Sequence, residues 1–220
     1  MKSAGNDIVA LRSVDKQRTS QFRFYSKILS APEQVLYHQP QFTEMPFENY
    51  VWLLWSVKES AYKYLKRIHP RLLFSPTKFV IQYIIIPSGP FMSAFKNTHW
   101  ESTGNRKEFY SGMLIYDSYV FYFRSKISED WIATVVNDNE DFENVCWGIE
   151  SIDDESYYHQ SKAARTLLLK RLSSFFPGDF QVKKSPIGYP IILKGTQNMR
   201  ISASLAHDDR FVAYSFVLNR

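Results

Sequence analysis

The clearest periodic pattern lies in residues 47–67, where apolar side chains recur at spacings of three or four. This period predicts an amphipathic helix that ends before Pro70. One stripe of the helix is mainly core-forming and consists of Val51, Leu54, Trp55, Lys58, Tyr62 and Leu65. A neighbouring stripe carries Glu59 and Lys63, a carboxylate and an ammonium group one turn apart that can face the same ligand.

Runs rich in β-branched and aromatic residues predict strands on both sides of the chain's midpoint. In the first part, a short strand includes Ile8 and Val9, and further strands cover residues 79–86, 109–116, 119–124 and 131–136. The polar segment 96–107 predicts an exposed loop, and residues 116–119 predict a hairpin turn. The second part predicts a helix over residues 163–176, followed by strands at 180–183, 191–193, 200–205 and 211–218.

Both parts of the chain therefore contain a helix followed by antiparallel strands, although no sequence repeat is visible. This pattern predicts an α+β fold, a pseudo-dimer of two similar subdomains, each a helix packed on a small antiparallel sheet. An acidic, polar segment at 137–144 favours a boundary between residues 1–140 and 141–220.

Composition narrows the functional classes. Of the 220 residues, 45% are hydrophobic and 16% aromatic, which is enough to form a core without disulfides. Cys146 is the only cysteine, and no signal peptide or membrane-spanning run is present, so we expect a cytoplasmic protein without a membrane partner. The formal net charge of +5 favours a polyanionic partner, but the basic residues are scattered. A nucleic acid is therefore only a weak alternative, without a motif to support it.

Two carboxylates supply the candidate chemistry. Magnesium prefers oxygen ligands, and Asp7 and Glu59 could hold it together with phosphate oxygens of a substrate. Lys58 and Lys63 could neutralise those phosphates. Spacing alone leaves simpler alternatives open: a turn cap for Asp7, and a solvated i,i+4 pair for Glu59 and Lys63. His207 is similarly open to interpretation as an exposed loop residue.

Three separated segments resemble motifs of the phosphopantetheinyl transferase superfamily. Residues 5–9, Gly-Asn-Asp-Ile-Val, resemble the family's Gly-x-Asp-Ile-Val strand, whose aspartate binds magnesium. Residues 55–63, Trp-Ser-Val-Lys-Glu-Ser-Ala-Tyr-Lys, resemble its Trp-Ser-x-Lys-Glu-(Ala/Ser)-x-x-Lys helix. Residues 204–207, Ser-Leu-Ala-His, are similar to its Ser-x-Ser-His turn, whose histidine contacts coenzyme A. Together the three motifs favour the functional interpretation of Asp7, Glu59, Lys63 and His207.

The resemblance also implies an architecture. The family contains a short, trimeric holo-acyl-carrier-protein synthase type and a surfactin-type pseudo-dimer of about twice its length. The length of this chain fits the second type, but its motif order is that of the first, which implies a monomeric pseudo-dimer with its halves exchanged. Arg165 on the second helix and residues 188–190, Gly-Tyr-Pro, resemble the surfactin-type amino-terminal half, so Arg165 is a candidate coenzyme ligand.

By this resemblance, the protein transfers the 4′-phosphopantetheine group from coenzyme A to a serine of an apo acyl or peptidyl carrier protein, as in fatty acid or polyketide biosynthesis. Magnesium would be held by Asp7 and Glu59, Glu59 and Lys63 would be catalytic, and Lys58, Lys63, His207 and Arg165 would bind the cofactor.

The sequence departs from the family pattern at three positions. Tyr189 replaces a ligand-contacting lysine, for which Lys183, Lys184 or Lys194 could substitute. Ala206 replaces a serine before the histidine, and Val9 replaces the additional metal-binding glutamate of the surfactin type. These departures leave open a catalytically degenerate relative that only binds coenzyme A or a carrier protein.

Overall fold

The structure is a computed structural model that describes residues 3–88, 99–101 and 106–218. Its α-helices are α1 Lys16–Thr19, α2 Phe22–Tyr25, α3 Ala31–Tyr37, α4 Phe47–Ile68 and α5 Tyr157–Ser173. Its strands are β1 Ala4–Ala10, β2 Val80–Ile85, β3 His99–Glu101, β4 Tyr110–Tyr116, β5 Tyr119–Ile127, β6 Trp131–Asn137, β7 Val145–Ser151, β8 Phe180–Lys184, β9 Pro190–Lys194, β10 Gln197–Asn198, β11 Ala203–Asp208 and β12 Phe211–Val217. None of the described helices is both long and apolar enough to cross a membrane.

Helix α4 confirms the predicted 47–67 helix and packs on an antiparallel sheet of order β1-β6-β5-β4-β2. Its buried residues Val51, Leu54, Val57 and Leu65 form one core with side chains of the sheet. The apolar stripe therefore contributes to this core, as its period requires.

Strand β1 lies unusually close to α4. A Cβ atom added to Gly5 would stand 1.9 Å from the backbone oxygen of Ser60 and 3.0 Å from the backbone nitrogen of Tyr64. A residue without a side chain is thus required at position 5, because any side chain would push the strand away from the helix. This close approach brings Asp7, two residues further along β1, against the polar stripe of α4.

The second half repeats the pairing of a helix with antiparallel strands. Strands β11-β12-β7-β3 form one sheet and β10-β9-β8 another, and Leu167, Leu168 and Leu172 of α5 pack in a core with residues of β11 and β12. Strand β3, although it precedes β4 in the chain, pairs with β7 and so extends the sheet of the second half.

Side chains of β11 close the outer edge of β1 and join the two halves. The backbone nitrogen of Asn6 donates to Oγ of Ser204 at 3.3 Å, and that of Ala10 donates to Oδ2 of Asp208 at 2.8 Å. These bonds satisfy edge groups of β1 that no neighbouring strand pairs.

The α+β class is confirmed, and two helix-on-sheet halves are compatible with the predicted pseudo-dimer. Two local predictions need correction, and one strand was missed. Helix α5 begins at Tyr157 rather than at 163. The prediction missed this start because the first turn exposes Tyr157 and Tyr158 and so carries no apolar period. The strand predicted from 200 begins at Ala203, since Arg200 has a φ of 54° and cannot be extended. Strand β7 was not predicted.

The predicted 96–107 loop is also partly wrong, since residues 99–101 form β3 and a short 3-10 helix begins at residue 106. The rest of that segment, 96–98 and 102–105, lies outside the described residues. The predicted turn at 116–119 is confirmed and joins β4 to β5, with Asp117 in the left-handed conformation.

Candidate active site

Asp7, Glu59 and Lys63 meet at the contact between β1 and α4. Nζ of Lys63 donates to Oδ1 of Asp7 at 2.8 Å and lies 3.7 Å from Oε1 of Glu59. The ammonium group thus stands between two carboxylates from different elements. Residues that are 52 positions apart in the chain therefore share one cation, which an isolated i,i+4 pair would not achieve.

The electrostatics of this cluster show that it needs positive charge. Burial raises the pKa of Glu59, and the negative charge of Asp7 raises it further, while Lys63 opposes both effects. Burial by itself would lower the pKa of Lys63, but the charges of Asp7 and Glu59 outweigh that effect and leave it raised. Because two carboxylates that share a site disfavour each other's ionised form, the cation beside them stabilises both anions.

An independent observation also indicates that this cluster fits a magnesium ion. Oδ2 of Asp7 is buried and has no hydrogen-bond partner among the described residues, so its lone pairs are available to a ligand. Within that part of the chain, no three Asp, Glu, His or Cys side chains are grouped for metal binding. A magnesium ion would therefore depend on two protein carboxylates, completed by substrate phosphates and water, as its octahedral shell allows.

His207 lies on β11, where its ring makes an edge contact with that of Tyr157 at 5.3 Å between centroids. Burial lowers the pKa of His207, and the positive charges of Lys63 and Lys184 lower it further. Its imidazole lines a pocket together with Arg165 and Lys183. The influence of Lys63 on His207 connects the second half of the protein to the Asp7 and Glu59 cluster.

A second, adjoining hollow lies between the halves, and we call it the inter-half cleft. Helix α4 contributes Lys63, Lys66 and Arg67, and the β8–β9 hairpin region contributes Lys184 and Tyr189. The cleft has a volume of about 270 Å³. Lys184 lines both the cleft and the His207 pocket, so the two hollows together form a basic surface suited to a phosphorylated ligand.

The structure does not bring Lys58 to this site, so Lys58 as a cofactor ligand stays a prediction that its surroundings disfavour. Its side chain is 0% exposed, and Nζ donates to Oε2 of Glu33 and to the backbone oxygen of Ile28, both at 2.6 Å. Lys58 points towards α3 because it belongs to the apolar stripe of α4, not to the stripe of Glu59 and Lys63. The ammonium group of Lys58 therefore stabilises the fold through these bonds.

Arg165 does reach the His207 pocket, but it lies at the exposed end of it. Nε donates to the backbone oxygen of Ser161 at 3.0 Å and Nη2 donates to its Oγ at 2.7 Å. A ligand would have to compete with these bonds on the arginine's own helix. Arg165 as a coenzyme ligand thus stays a prediction.

Two of the three departures from the family pattern, Tyr189 and Ala206, have different surroundings. Tyr189 faces the cleft, where the guanidinium carbon of Arg67 lies 5.3 Å from its ring centroid. Ala206 is buried in the core that also contains Ile8 of β1, and it lines neither hollow. The replacement at 206 therefore alters packing between the halves, whereas that at 189 alters the cleft itself.

Sequence reasoning missed Lys66, Arg67 and Asp208. Arg67 continues the α4 stripe of Glu59 and Lys63 at the same spacing of four, a signal that was available in the sequence. Asp208 could not be found in this way. Burial raises its pKa, the backbone bond from Ala10 opposes the rise and the charge of Asp7 adds to it, so it lies close to the cluster although it follows the motif histidine.

Comparison with known proteins identifies a family. Residues 3–135 match the family model of the 4′-phosphopantetheinyl transferase superfamily, a range that contains Asp7, Glu59 and Lys63. No curated protein and no solved structure matches the chain significantly. Because the family match covers more than half of the 220 residues, the chain belongs to the 4′-phosphopantetheinyl transferase superfamily.

Proposed function

We propose that the protein transfers 4′-phosphopantetheine from coenzyme A to a serine of an apo acyl or peptidyl carrier protein, in a magnesium-dependent reaction. The observation that carries the proposal is the meeting of Asp7, Glu59 and Lys63 beside a basic cleft. Transfer of a phosphorylated group requires positioning of the phosphates and neutralisation of their charge, and this site provides groups for both.

Asp7 and Glu59 would hold the magnesium ion, which, when bound, would neutralise charge on the pyrophosphate. Once displaced from between the two carboxylates, the ammonium group of Lys63 would be free to contact the phosphate that is transferred. His207, neutral near pH 7 because its pKa is lowered by burial and by Lys63 and Lys184, would contribute a hydrogen bond to the coenzyme.

In the chemical step, the serine hydroxyl oxygen of the carrier attacks the phosphorus atom that bears the pantetheine arm. The bond from that phosphorus to the bridging oxygen of the pyrophosphate breaks, and adenosine 3′,5′-bisphosphate leaves with the electron pair. Glu59 would accept the serine proton, directly or through water, and Lys63 would stabilise negative charge on the transferred phosphoryl group.

The test is a mass measurement on an apo carrier protein incubated with coenzyme A, magnesium and the purified enzyme. We expect the carrier to gain one phosphopantetheine group, and chelation of magnesium to prevent the gain. Glu59→Gln should lower the rate about a hundredfold or more because it removes the base and a metal ligand. Glu44→Gln, at an exposed carboxylate of the same half, should not change the rate.

The second candidate is a degenerate relative that binds but does not transfer, and Tyr189 in the cleft is the observation that favours it. Coenzyme A binding without modification of several acyl and peptidyl carriers would establish that candidate and refute transfer. Salt-sensitive binding to generic DNA in the absence of coenzyme A binding would refute both. The positive charge of the chain suits an acidic carrier as partner, and the proposed working form is a monomer.

A further inference from the structure

Arg67 occupies the next turn of α4 after Lys63, on the same stripe as Glu59. Nη1 donates to Oγ of Ser202 at 2.5 Å, and the guanidinium lies over the ring of Tyr189. Both neighbours belong to the second half of the protein. The side chain therefore extends across the inter-half cleft and is held by a hydroxyl at one side and an aromatic face at the other.

The charge of Arg67 is only partly compensated. No carboxylate in the described ranges forms an ion pair with it, and its Nε is buried without a hydrogen-bond partner among those residues. Burial lowers the pKa of Arg67 to about 10. A guanidinium has five N–H donors. When it is partly buried, has unused donors and lacks a counter-ion, it favours the binding of an anion.

Tyr189 explains how such a cation can be kept in place. Where the family resemblance implies a ligand-contacting lysine, this chain has an aromatic ring, and a ring cannot neutralise phosphate. An aromatic face does attract and orient a guanidinium. The replacement thus removes one cation from the β8–β9 side of the cleft and provides a support for another that comes from α4.

We infer that Arg67, supported by Ser202 and Tyr189, is a phosphate-binding residue for coenzyme A, one helical turn beyond the Asp7, Glu59 and Lys63 cluster. This inference rests on the proposed function, since it assumes coenzyme A as the ligand of the cleft. Arg67 binds either the pyrophosphate or the 3′-phosphate of the ribose, two sources of the same chemistry. Lys184, which lines the same cleft, supplies a second positive charge.

Calorimetric titration of the purified protein with coenzyme A, without a carrier, tests the inference. Arg67→Met removes the charge and the donors but keeps an apolar stem against Tyr189, and it should weaken binding about ten- to a hundredfold. Arg71→Met is the matched control, because Arg71 is an exposed arginine just beyond the end of α4, and its affinity should equal that of the wild type.

Titration with 3′-dephospho-coenzyme A separates the two phosphates. Loss of discrimination between the two ligands in Arg67→Met would assign the residue to the 3′-phosphate, and equal weakening for both would assign it to the pyrophosphate. Arg67→Gln keeps a hydrogen bond available to Ser202 and serves if the Met variant fails to fold. It must show the same weakening.

The inference is overturned if the wild type binds coenzyme A and the Arg67 variants bind it equally well, even when their thermal unfolding temperature falls. That result would make Arg67 a purely structural link between the halves. Failure of the wild type to bind coenzyme A at all would instead refute the proposed function, so the two failures are distinguishable.

Discussion

Replacement of Lys58 tests the assignment of this lysine to the fold rather than to the site. Its ammonium group forms an ion pair with Glu33, and both side chains are 0% exposed. Glu33 also accepts backbone N–H bonds from Ser30 at 2.7 Å and Ile81 at 2.9 Å. The carboxylate therefore ties together α3, α4 and the start of β2.

Lys58→Met would leave Glu33 buried with two backbone donors but no cation. Removal of one partner from a buried ion pair costs about 3–5 kcal/mol, a large share of the roughly 5–15 kcal/mol that stabilise a typical domain. For a chain of this size, the loss corresponds to a fall in unfolding temperature of roughly 6–20 °C. Urea unfolding followed by tryptophan fluorescence would measure the change in free energy.

Two further variants sharpen this test. Lys78→Met, at an exposed lysine, should leave the free energy of unfolding nearly unchanged. Adding Glu33→Gln to Lys58→Met should restore part of the lost stability, because the carboxamide removes the unpaired charge while it can still accept the backbone bonds.

Coenzyme A binding by the folded Lys58→Met protein decides between the two roles. We expect an affinity close to that of the wild type, since Nζ of Lys58 does not reach either hollow. Weakened coenzyme A binding with unchanged stability would refute our reasoning and support Lys58 as a cofactor ligand.

Further predictions follow from the close contact between β1 and α4 and from the site's electrostatics. Gly5→Ala should destabilise the protein by about 2–3 kcal/mol because its Cβ would overlap the backbone oxygen of Ser60, and an unchanged urea midpoint would contradict this. His207 should titrate in NMR below the ordinary 6.5, and bound coenzyme A should raise its pKa by offsetting Lys63 and Lys184; a free-protein value of 6.5 or higher would contradict this. Because the pKa of His207 is lower in the folded state, the unfolded state binds the proton more tightly. The stability that neutral His207 provides is therefore complete above pH 6.5 and is lost as the pH falls towards the lowered pKa of His207. His207→Gln should reduce that loss.

Local patterns predicted those elements whose period matches their burial. Helix α4 was predicted to within one residue because its apolar stripe is continuous and Pro70 follows it. The start of α5 was missed because its first turn is exposed, and β3 was missed because its three residues lie in a polar segment. A strand so short is formed by pairing with β7, which the local sequence does not record.

The residues of the candidate site were likewise predicted only in part. Motif order in the sequence grouped Asp7, Glu59, Lys63 and His207, and the structure places the first three in contact and the fourth in an adjoining pocket. Lys58, in contrast, belongs to the most specific motif, yet it is buried against Glu33. A motif records which residue types occur together, and it does not record which way each side chain points.

The sequence by itself determined the fold class, the long helix and its two stripes, and membership of the superfamily, because periodicity and short motifs are properties of neighbouring residues. Only the tertiary structure decided that Arg67 meets Ser202 and Tyr189 across a cleft. Those contacts join residues more than a hundred positions apart, and they exist because the close fit of β1 on α4 and of β11 on β1 brings the two halves together.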